Sequence, residues 1–342
     1  MIAPGIIPRV AIIGCGNIGC RWEGECDAVW THAAAWQGLE VELAAVAEPD
    51  PKLRSACAKR YGIAAQYADW SELFAAERID ILSLATPTPL RRAVIEASLT
   101  AGVRALWCEK PLATTLAEAM GIRDAVKAAG AILAVNYLRR WDPGIERLAA
   151  CVRAGELGEP RQVVGRYTKG LLNNGSHLLD LLQICFGTPQ RMRVLRVCED
   201  DYSPMDPTLD VQIEYAGGHG TFPAYLLGTD QRDYALFELD ILGSCGRIEL
   251  CRSGCELRQA RIGPDPNFPG YQILYPPEPV AGALPQAMRR AAAELLALWR
   301  AGGGQPRCTV DDGVAALRVV ETLRRAQATN SWQSLVEQQI GP

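Results

Sequence analysis

Two short runs hold side chains that can move a proton, and a third can hold a phosphate. Cys108-Glu109-Lys110-Pro111 closes an apolar run with a lysine, and Asn173-Asn174-Gly175-Ser176-His177-Leu178-Leu179-Asp180 offers a histidine with an aspartate three residues on. A free lysine, at pKa ~10.4, is too basic to be mostly neutral near pH 7, but burial or a nearby positive charge lowers it. A histidine, at ~6.5, already suits acid–base work. Asp180 falls one helical turn beyond His177 on the same face, where it can orient the imidazole or line a site. Each run also has a plain structural reading. Most Lys-Pro pairs are surface turns, and a histidine at a helix start is often bonded into the fold.

The phosphate-holding run is Gly14-Cys15-Gly16-Asn17-Ile18-Gly19, directly after the first apolar strand. In that context Gly14 permits a tight turn, Gly16 lets the backbone approach a pyrophosphate, and Gly19 lets the following helix pack on the strand. The free N–H groups and positive dipole end of that helix suit phosphate oxygens. Glu48 ends the second strand, where an acid accepts from ribose hydroxyls and repels a 2′-phosphate, so NAD is favoured over NADP. Its distance from the glycines is longer than usual because residues 20–31 read as an insertion before a helix resumes at His32.

The elements that must position these residues follow from hydrophobic periodicity. From Arg9 to Asn136, strands Val10–Ile13, Val41–Ala47, Ile79–Leu84, Arg104–Cys108 and Ile132–Val135 alternate with helical patterns, which reads as a parallel sheet with crossover helices. Helix starts are signalled by Asp69 with Glu72 and by Thr115 with Glu118, and Gly62, Gly102 and Gly130 mark helix ends. In such sheets ligands bind beyond the carboxyl ends of the strands. After Asn136 come a helix from Pro143 to Ala154 and the strands Gln162–Tyr167, Arg191–Val197, Leu209–Tyr215, Gly220–Leu227, Ala235–Leu242 and Arg247–Cys251. Helices Leu284–Arg300 and Asp311–Ala328 follow, and residues 264–282 read as a Pro-rich loop. The expected fold is α/β: an N-terminal Rossmann parallel sheet, residues 1–136, binding a dinucleotide. An α+β domain, residues 137–342, then carries a large, mostly antiparallel open sheet for substrate binding and oligomerisation.

Composition narrows the partners. A net charge of −4 without a long basic block argues against nucleic acid and against a polybasic membrane surface. The start shows no signal-peptide pattern and no run reaches membrane-span length, so the expected location is the cytoplasm and the expected partner a small molecule. The twelve cysteines read as scattered buried thiols. Cys245, Cys251 and Cys255 lack a CxxC spacing, and no metal site is expected.

Taken together, the glycine run, Ala85-Thr86-Pro87-Thr88, Glu109-Lys110-Pro111 and Gly175-Ser176-His177-Leu178-Leu179-Asp180 resemble the Gfo/Idh/MocA oxidoreductase family, over a stretch from Arg9 to about Ala328. The resemblance implies that Gly14, Gly16, Asn17, Ile18, Gly19, Glu48, Thr86, Pro87, Glu109 and Lys110 contact the dinucleotide. It also implies that Lys110 and His177 serve hydride and proton transfer at a secondary alcohol, with either one taking the proton. Asn136, Arg140, Asn173 and Asp180 are the expected substrate contacts, and a homodimer or homotetramer through the C-terminal sheet is implied. Two residues depart from the family pattern: Asn173 stands where relatives commonly have Asp, and Arg91 where they often have His. Asn173, with Arg139, Arg140, Arg166 and Lys169 nearby in sequence, favours a nucleotide-linked sugar. An inositol or free-aldose dehydrogenase, an NAD-dependent glycosidase and a non-catalytic NAD-binding regulator are the alternatives.

Overall fold

The computed structural model describes residues 5–22, 27–200, 202–218 and 220–335. The chain forms two compact units: one takes the chain up to Trp141 together with Pro285–Leu317, the other Asp142–Leu284 and the chain from Arg318 onward. Residues 285–317 thus return to the first unit, a segment that a single division at 136/137 leaves with the second.

In the first unit, strands β1 (Arg9–Ile13), β2 (Glu42–Ala47), β3 (Ala65–Tyr67), β4 (Ile81–Leu84), β5 (Ala105–Cys108) and β6 (Ile132–Val135) make a parallel sheet in the order β3-β2-β1-β4-β5-β6. Five of them match the predicted strands to within two residues. The short β3 escaped because Ala65-Gln66-Tyr67 carries too little apolar pattern to stand out. Helices α1 (His32–Trp36), α2 (Pro51–Tyr61), α3 (Trp70–Ala76), α4 (Arg91–Thr100) and α5 (Leu116–Ala128) join them. The predicted caps form: Asp69 accepts from the Ser71 amide, and Thr115 accepts from the Glu118 amide at 3.2 Å. The Glu118 carboxylate reaches back to the amide of Thr114, one residue earlier than a standard capping box.

In the second unit, α6 (Pro143–Arg153), β7 (Pro160–Tyr167), α7 (Ser176–Phe186), β8 (Arg191–Val197), β9 (Leu209–Gly217), β10 (Gly220–Gly228), β11 (Phe237–Gly243), β12 (Gly246–Cys251), β13 (Glu256–Pro264), β14 (Gln272–Leu274), β15 (Glu278–Val280) and β16 (Gln333–Ser334) build a ten-stranded sheet. All its pairs are antiparallel except β7 with β10. The Pro-rich stretch 264–282 is a correction to the sequence reading: it contains β14 and β15, which both pair with β13. Prolines at an exposed sheet edge cost no ladder bond, which is why composition alone misread it. One sheet face is buried against α6 and α7, with Leu178, Leu181 and Leu182 packed on Val211, Ile213 and Leu239. Each fully buried leucine contributes roughly 1.5–3 kcal/mol. Helix α8 (Ala287–Ala301) belongs to the first unit, and α9 (Val310–Thr329) runs through the division at 317/318. No helix among the described residues is long and apolar enough to cross a membrane.

Candidate functional site

Strand register puts the candidate residues of the first unit in one row. Ile13 pairs with Ala47 and with Leu84, Leu84 with Cys108, and Cys108 with Val135. The next residue of each strand is therefore Gly14, Glu48, Ala85, Glu109 or Asn136, all at the carboxyl edge. Their amides keep the ladder going for one more step, Gly14 to the Ala47 carbonyl at 2.9 Å and Asn136 to that of Cys108 at 2.7 Å. The row crosses the point where strand order reverses between β1 and β4, the place where open α/β sheets form a crevice.

The three glycines differ in what surrounds them. Gly14 has φ +97°, and a Cβ there would lie 2.6 Å from the Ala85 carbonyl oxygen. A Cβ on Gly19 would lie 2.1 Å from the Gly14 oxygen, whereas one on Gly16 meets nothing within 4 Å. Gly14 and Gly19 are glycine for the fold's sake, and Gly16 leaves open space beside the turn. Asn17–Arg21 form a π-helical turn, with Asn17 exposed and Ile18 half-buried. Residues 23–26 of the 20–31 segment lie outside the described residues, and α1 begins at His32 as expected. The Glu48 carboxylate accepts the Cys15 amide at 2.8 Å and the Asp50 amide at 3.1 Å, so backbone donors fix the acid against the glycine turn.

Below Lys110 runs a buried chain of hydrogen bonds that the sequence does not disclose. Trp36 Nε1 donates to Ser83 Oγ at 3.0 Å, Ser83 Oγ meets His32 Nδ1 at 2.9 Å, and His32 Nε2 meets Glu109 Oε1 at 3.0 Å. Asn136 Nδ2 donates to the same oxygen, and the Lys110 amide donates to Oε2 at 3.2 Å. An ionised carboxylate only accepts, so the histidine carries a proton on Nε2, and the neutral tautomer then accepts the serine proton at Nδ1 while Ser83 accepts from the indole. Every donor then points toward Glu109. Burial works to raise that carboxyl, but the His32 and Asn136 bonds and the Arg91 charge outweigh it and hold it below the ordinary value. His32 is wholly buried, its ring tilted against that of Trp107 with the centroids 4.1 Å apart. Its signal was its place at the restart of the helix after the glycine run.

Arg91 also gains a role. Its guanidinium donates to the Thr86 carbonyl from Nε and Nη2, and to the Pro111 carbonyl from Nη1, tying the Thr86-Pro87 loop to the Lys110-Pro111 loop. The Lys110–Pro111 peptide is cis, not the extended dipeptide a Lys-Pro pair suggests, and Lys110 is half-buried. Two shielded polar atoms in this region, Thr86 Oγ1 and Asn136 Oδ1, find no partner among the described residues. Such atoms cost about 1–3 kcal/mol each when left unsatisfied, so they mark places suited to a ligand's polar groups. With the open space at Gly16 they fit a dinucleotide laid along the row.

Arg140 does not match its expected role. Its Nη1 binds Asp312 Oδ1 and the Arg307 carbonyl, both at 3.0 Å, inside the first unit. A buried guanidinium already matched by a carboxylate has less to offer a substrate.

In the second unit, His177 and Asp180 are both buried on α7, and the His177 ring meets Phe237 edge-on at 6.2 Å. Asn173 lies in the π-helical turn Gly170–Gly175, whose shape depends on Asp206. That carboxylate accepts the Leu172 amide at 2.7 Å and the Asn173 amide at 2.9 Å. A Cβ on Gly170, at φ +77°, would lie 2.3 Å from Asp206 Oδ2. Asn174 Nδ2 donates to the Leu236 carbonyl. Asp206 was missed because an Asp-Pro pair signals a turn but not which distant amides it will bond. Of the cations near this segment, Arg166 is exposed and Lys169 half-buried at φ +67°. His219 lies outside the described residues.

The first unit is thus an α/β fold with a parallel sheet, a glycine turn after β1 and Lys110 next to the row at its carboxyl edge. The model of an oxidoreductase family with an NAD-binding Rossmann fold, GFO_IDH_MocA, matches residues 8–137, a stretch that lies within the first unit. D-apiose dehydrogenase of Paraburkholderia graminis is 28% identical over 200 residues, 53% of this chain and 50% of that protein, so the match spans half the length of this curated relative. Among solved structures, levoglucosan dehydrogenase in complex with NADH and levoglucosan superposes with a TM-score of 0.78 at 19% identity, covering 97% of this chain and 100% of that one. The WlbA dehydrogenase from Bordetella pertussis, in complex with NADH and UDP-GlcNAcA, gives 0.75 at 18% identity, with 97% and 100% covered. At such identities these likenesses establish the fold alone.

Proposed function

We propose that the chain is an NAD-dependent oxidoreductase acting on a secondary alcohol of a sugar-type, nucleotide-linked substrate. The observation that carries this reading is the single row of Gly14, Glu48, Glu109 and Asn136 at the carboxyl edge, with Lys110 next to it. Bound there, the dinucleotide accepts or returns the hydride. The chain's own residues do the rest. The glycine turn receives the pyrophosphate, with Asn17 and Ile18 beside it, and Glu48 accepts from the adenosine ribose, which favours NAD over NADP. Thr86 and Pro87 line the stretch between, and Thr86 Oγ1 and Asn136 Oδ1 offer unspent polar atoms. Lys110 and His177 hold or take the hydroxyl proton as the C–H bond breaks. The carboxylate of Glu109, anchored by three donors, fixes the backbone from which Lys110 projects. Asn173 and Asp180 accompany His177 as substrate contacts. Proteins named for apiose and levoglucosan support a carbohydrate substrate, and the WlbA dehydrogenase in complex with UDP-GlcNAcA supports the nucleotide link.

The domain roles follow: dinucleotide binding in the first unit, whose sheet lies within residues 1–136, and substrate binding and self-association in the second unit, which takes most of residues 137–342 but not 285–317. A homodimer or homotetramer is proposed through the sheet face opposite α6 and α7, where Asp240 pairs with Arg247 and Asp210 with Arg196. Light scattering of the purified chain reads this directly, a monomer counting against it.

The functional test is a thermal-stability screen with NAD present against nucleotide sugars, free aldoses and inositols, followed by NADH formation on each stabilising compound. Stabilisation and turnover by a nucleotide sugar are expected. Turnover on free inositols or aldoses alone rejects the nucleotide link, and no NADH with any class rejects the dehydrogenase.

A further inference from the structure

Cys15 sits inside the glycine turn, Cys20 in the π-helical turn after it, and Cys57 on α2, yet their sulfurs all lie within 4.8 Å of one another. They are sealed, at 0%, 4% and 1% exposure, among Ile12, Ala33, Val46, Ala58 and Ile63. A buried cysteine often serves as a small hydrophobe. Apolar packing gives no reason for three sulfurs from separate elements to face a common point. We propose that Cys15, Cys20 and Cys57 form a three-sulfur site for one soft d10 cation, with monovalent copper the best fit.

Ligand type and number select the ion. Thiolates favour Cu(I) over hard cations, while structural zinc closes a shell of four ligands, and the set found here among the described residues has three. Metal–sulfur bonds of about 2.3 Å place three sulfurs roughly 4 Å apart around a central ion, inside the span observed. Loading is a ligand exchange without redox change: Cu⁺ and three thiols give a copper tris-thiolate of charge −2, and three protons leave to solvent.

The site touches the cofactor turn. Cys20 Sγ donates to the Cys15 carbonyl at 3.3 Å, and the Cys15 amide holds Glu48. Ionising Cys20 removes that S–H donor, so a loaded site is expected to weaken NADH binding several-fold. This arm alone rests on the dinucleotide reading.

The test uses the full chain with the exposed Cys245 and Cys255 changed to Ser, titrated anaerobically with Cu(I) against a colorimetric copper chelator. One equivalent retained against the chelator is expected, and it is lost in Cys57→Ala and in Cys20→Ser variants whose circular dichroism and unfolding midpoint report their fold. Copper-edge absorption on the loaded protein with all three thiols intact should show three sulfur neighbours, a readout independent of any variant. Failure to retain copper, retention undiminished in a folded Cys57→Ala protein, or two-coordinate or nitrogen-ligated copper overturns the site. Preferential retention of zinc when both ions are offered overturns the choice of copper. Metal retention without a change in NADH affinity overturns the coupling only.

Discussion

The carboxyl edge of the parallel sheet and the Asn173–His177 turn of the antiparallel sheet each present a candidate acid–base residue, but they hold it by opposite means. Lys110 follows a strand whose neighbours fix its height, and below it two side chains, His32 and Asn136, bond the Glu109 carboxylate, with Ser83 and Trp36 backing His32. His177 opens a helix packed on a sheet, and the turn before it takes its shape from one remote carboxylate, Asp206. The first arrangement is rigid through redundancy. The second depends on few bonds and can be changed by altering one residue. Regular strand ends therefore place chemistry that periodicity can find, whereas a turn shaped by a distant side chain hides its support.

The strongest way to break the comparison is to remove each acid–base group. Lys110→Ala and His177→Ala are each expected to lower turnover by at least ~10²-fold on the true substrate, with NADH affinity changed little, as for loss of a positioned acid–base group. Steady-state rates with NADH titration check this, and an active Lys110→Ala enzyme removes the assignment. Next come the glycines. Gly19→Ala drives a Cβ to 2.1 Å from the Gly14 oxygen and is expected to destabilise the fold by roughly 3 kcal/mol or more. Gly16→Ala, at φ −67° with open space around it, should leave the unfolding midpoint within about a degree while NADH affinity drops about tenfold, near 1.4 kcal/mol. Equal effects from the two substitutions would erase the distinction between a glycine kept for packing and one kept for ligand approach.

What was legible follows the same line. The glycine run, Glu48 and Lys110 could be read because each occupies a fixed offset from the end of an apolar run, and register turns equal offsets into one row. The interiors of the strands and the caps at Asp69 and Thr115 were legible for the same local reason. The His32–Glu109 bond spans 77 residues and the Asp206 bonds 33 and 34, and no local pattern announces such pairings. Arg140 shows the converse error. Its position after β6 suggested a ligand contact, but its partner Asp312 comes from the segment that returns to the first unit, which the sequence could not place. The three converging cysteines were read as scattered because 5 and 37 residues separate them along the chain.

A smaller effect probes the redundancy around Glu109. Glu109→Gln keeps the volume but turns an amide donor toward donors from His32, Asn136 or Lys110, and is expected to cost about 1–3 kcal/mol at pH 7. The folded-state pKa of Glu109 is lowered, so between that value and the ordinary one near 4.5 the unfolded chain binds more protons and stability rises with pH. The contribution is fully present above about 4.5 and is lost as pH falls through the lower folded value. Urea unfolding at successive pH values should therefore show the gap between wild type and Glu109→Gln closing on acidification below ~4.5. A gap that stays flat from neutral to strongly acid pH would mean that the donors do not converge on a carboxylate.

The smallest expected effect is at Glu48, where the two modes of holding a residue meet. Its position is legible from the strand end, but its carboxylate is also committed to the Cys15 and Asp50 amides, so removing the side chain would disturb the turn as well as the ribose contact. Glu48→Gln separates the two. The amide oxygen can still accept the Cys15 N–H, while the negative charge that repels a 2′-phosphate is gone. NADH is expected to bind more tightly than NADPH in the wild type, and the variant should narrow that preference by about tenfold, near 1.4 kcal/mol, with the unfolding midpoint almost unmoved. Fluorescence titration with both reduced dinucleotides measures the ratio. A wild type that prefers NADPH refutes the assignment outright. A preference that survives Glu48→Gln unchanged would place discrimination elsewhere on the row and leave Glu48 as a brace for the glycine turn, held there by the two amides that already occupy its oxygens.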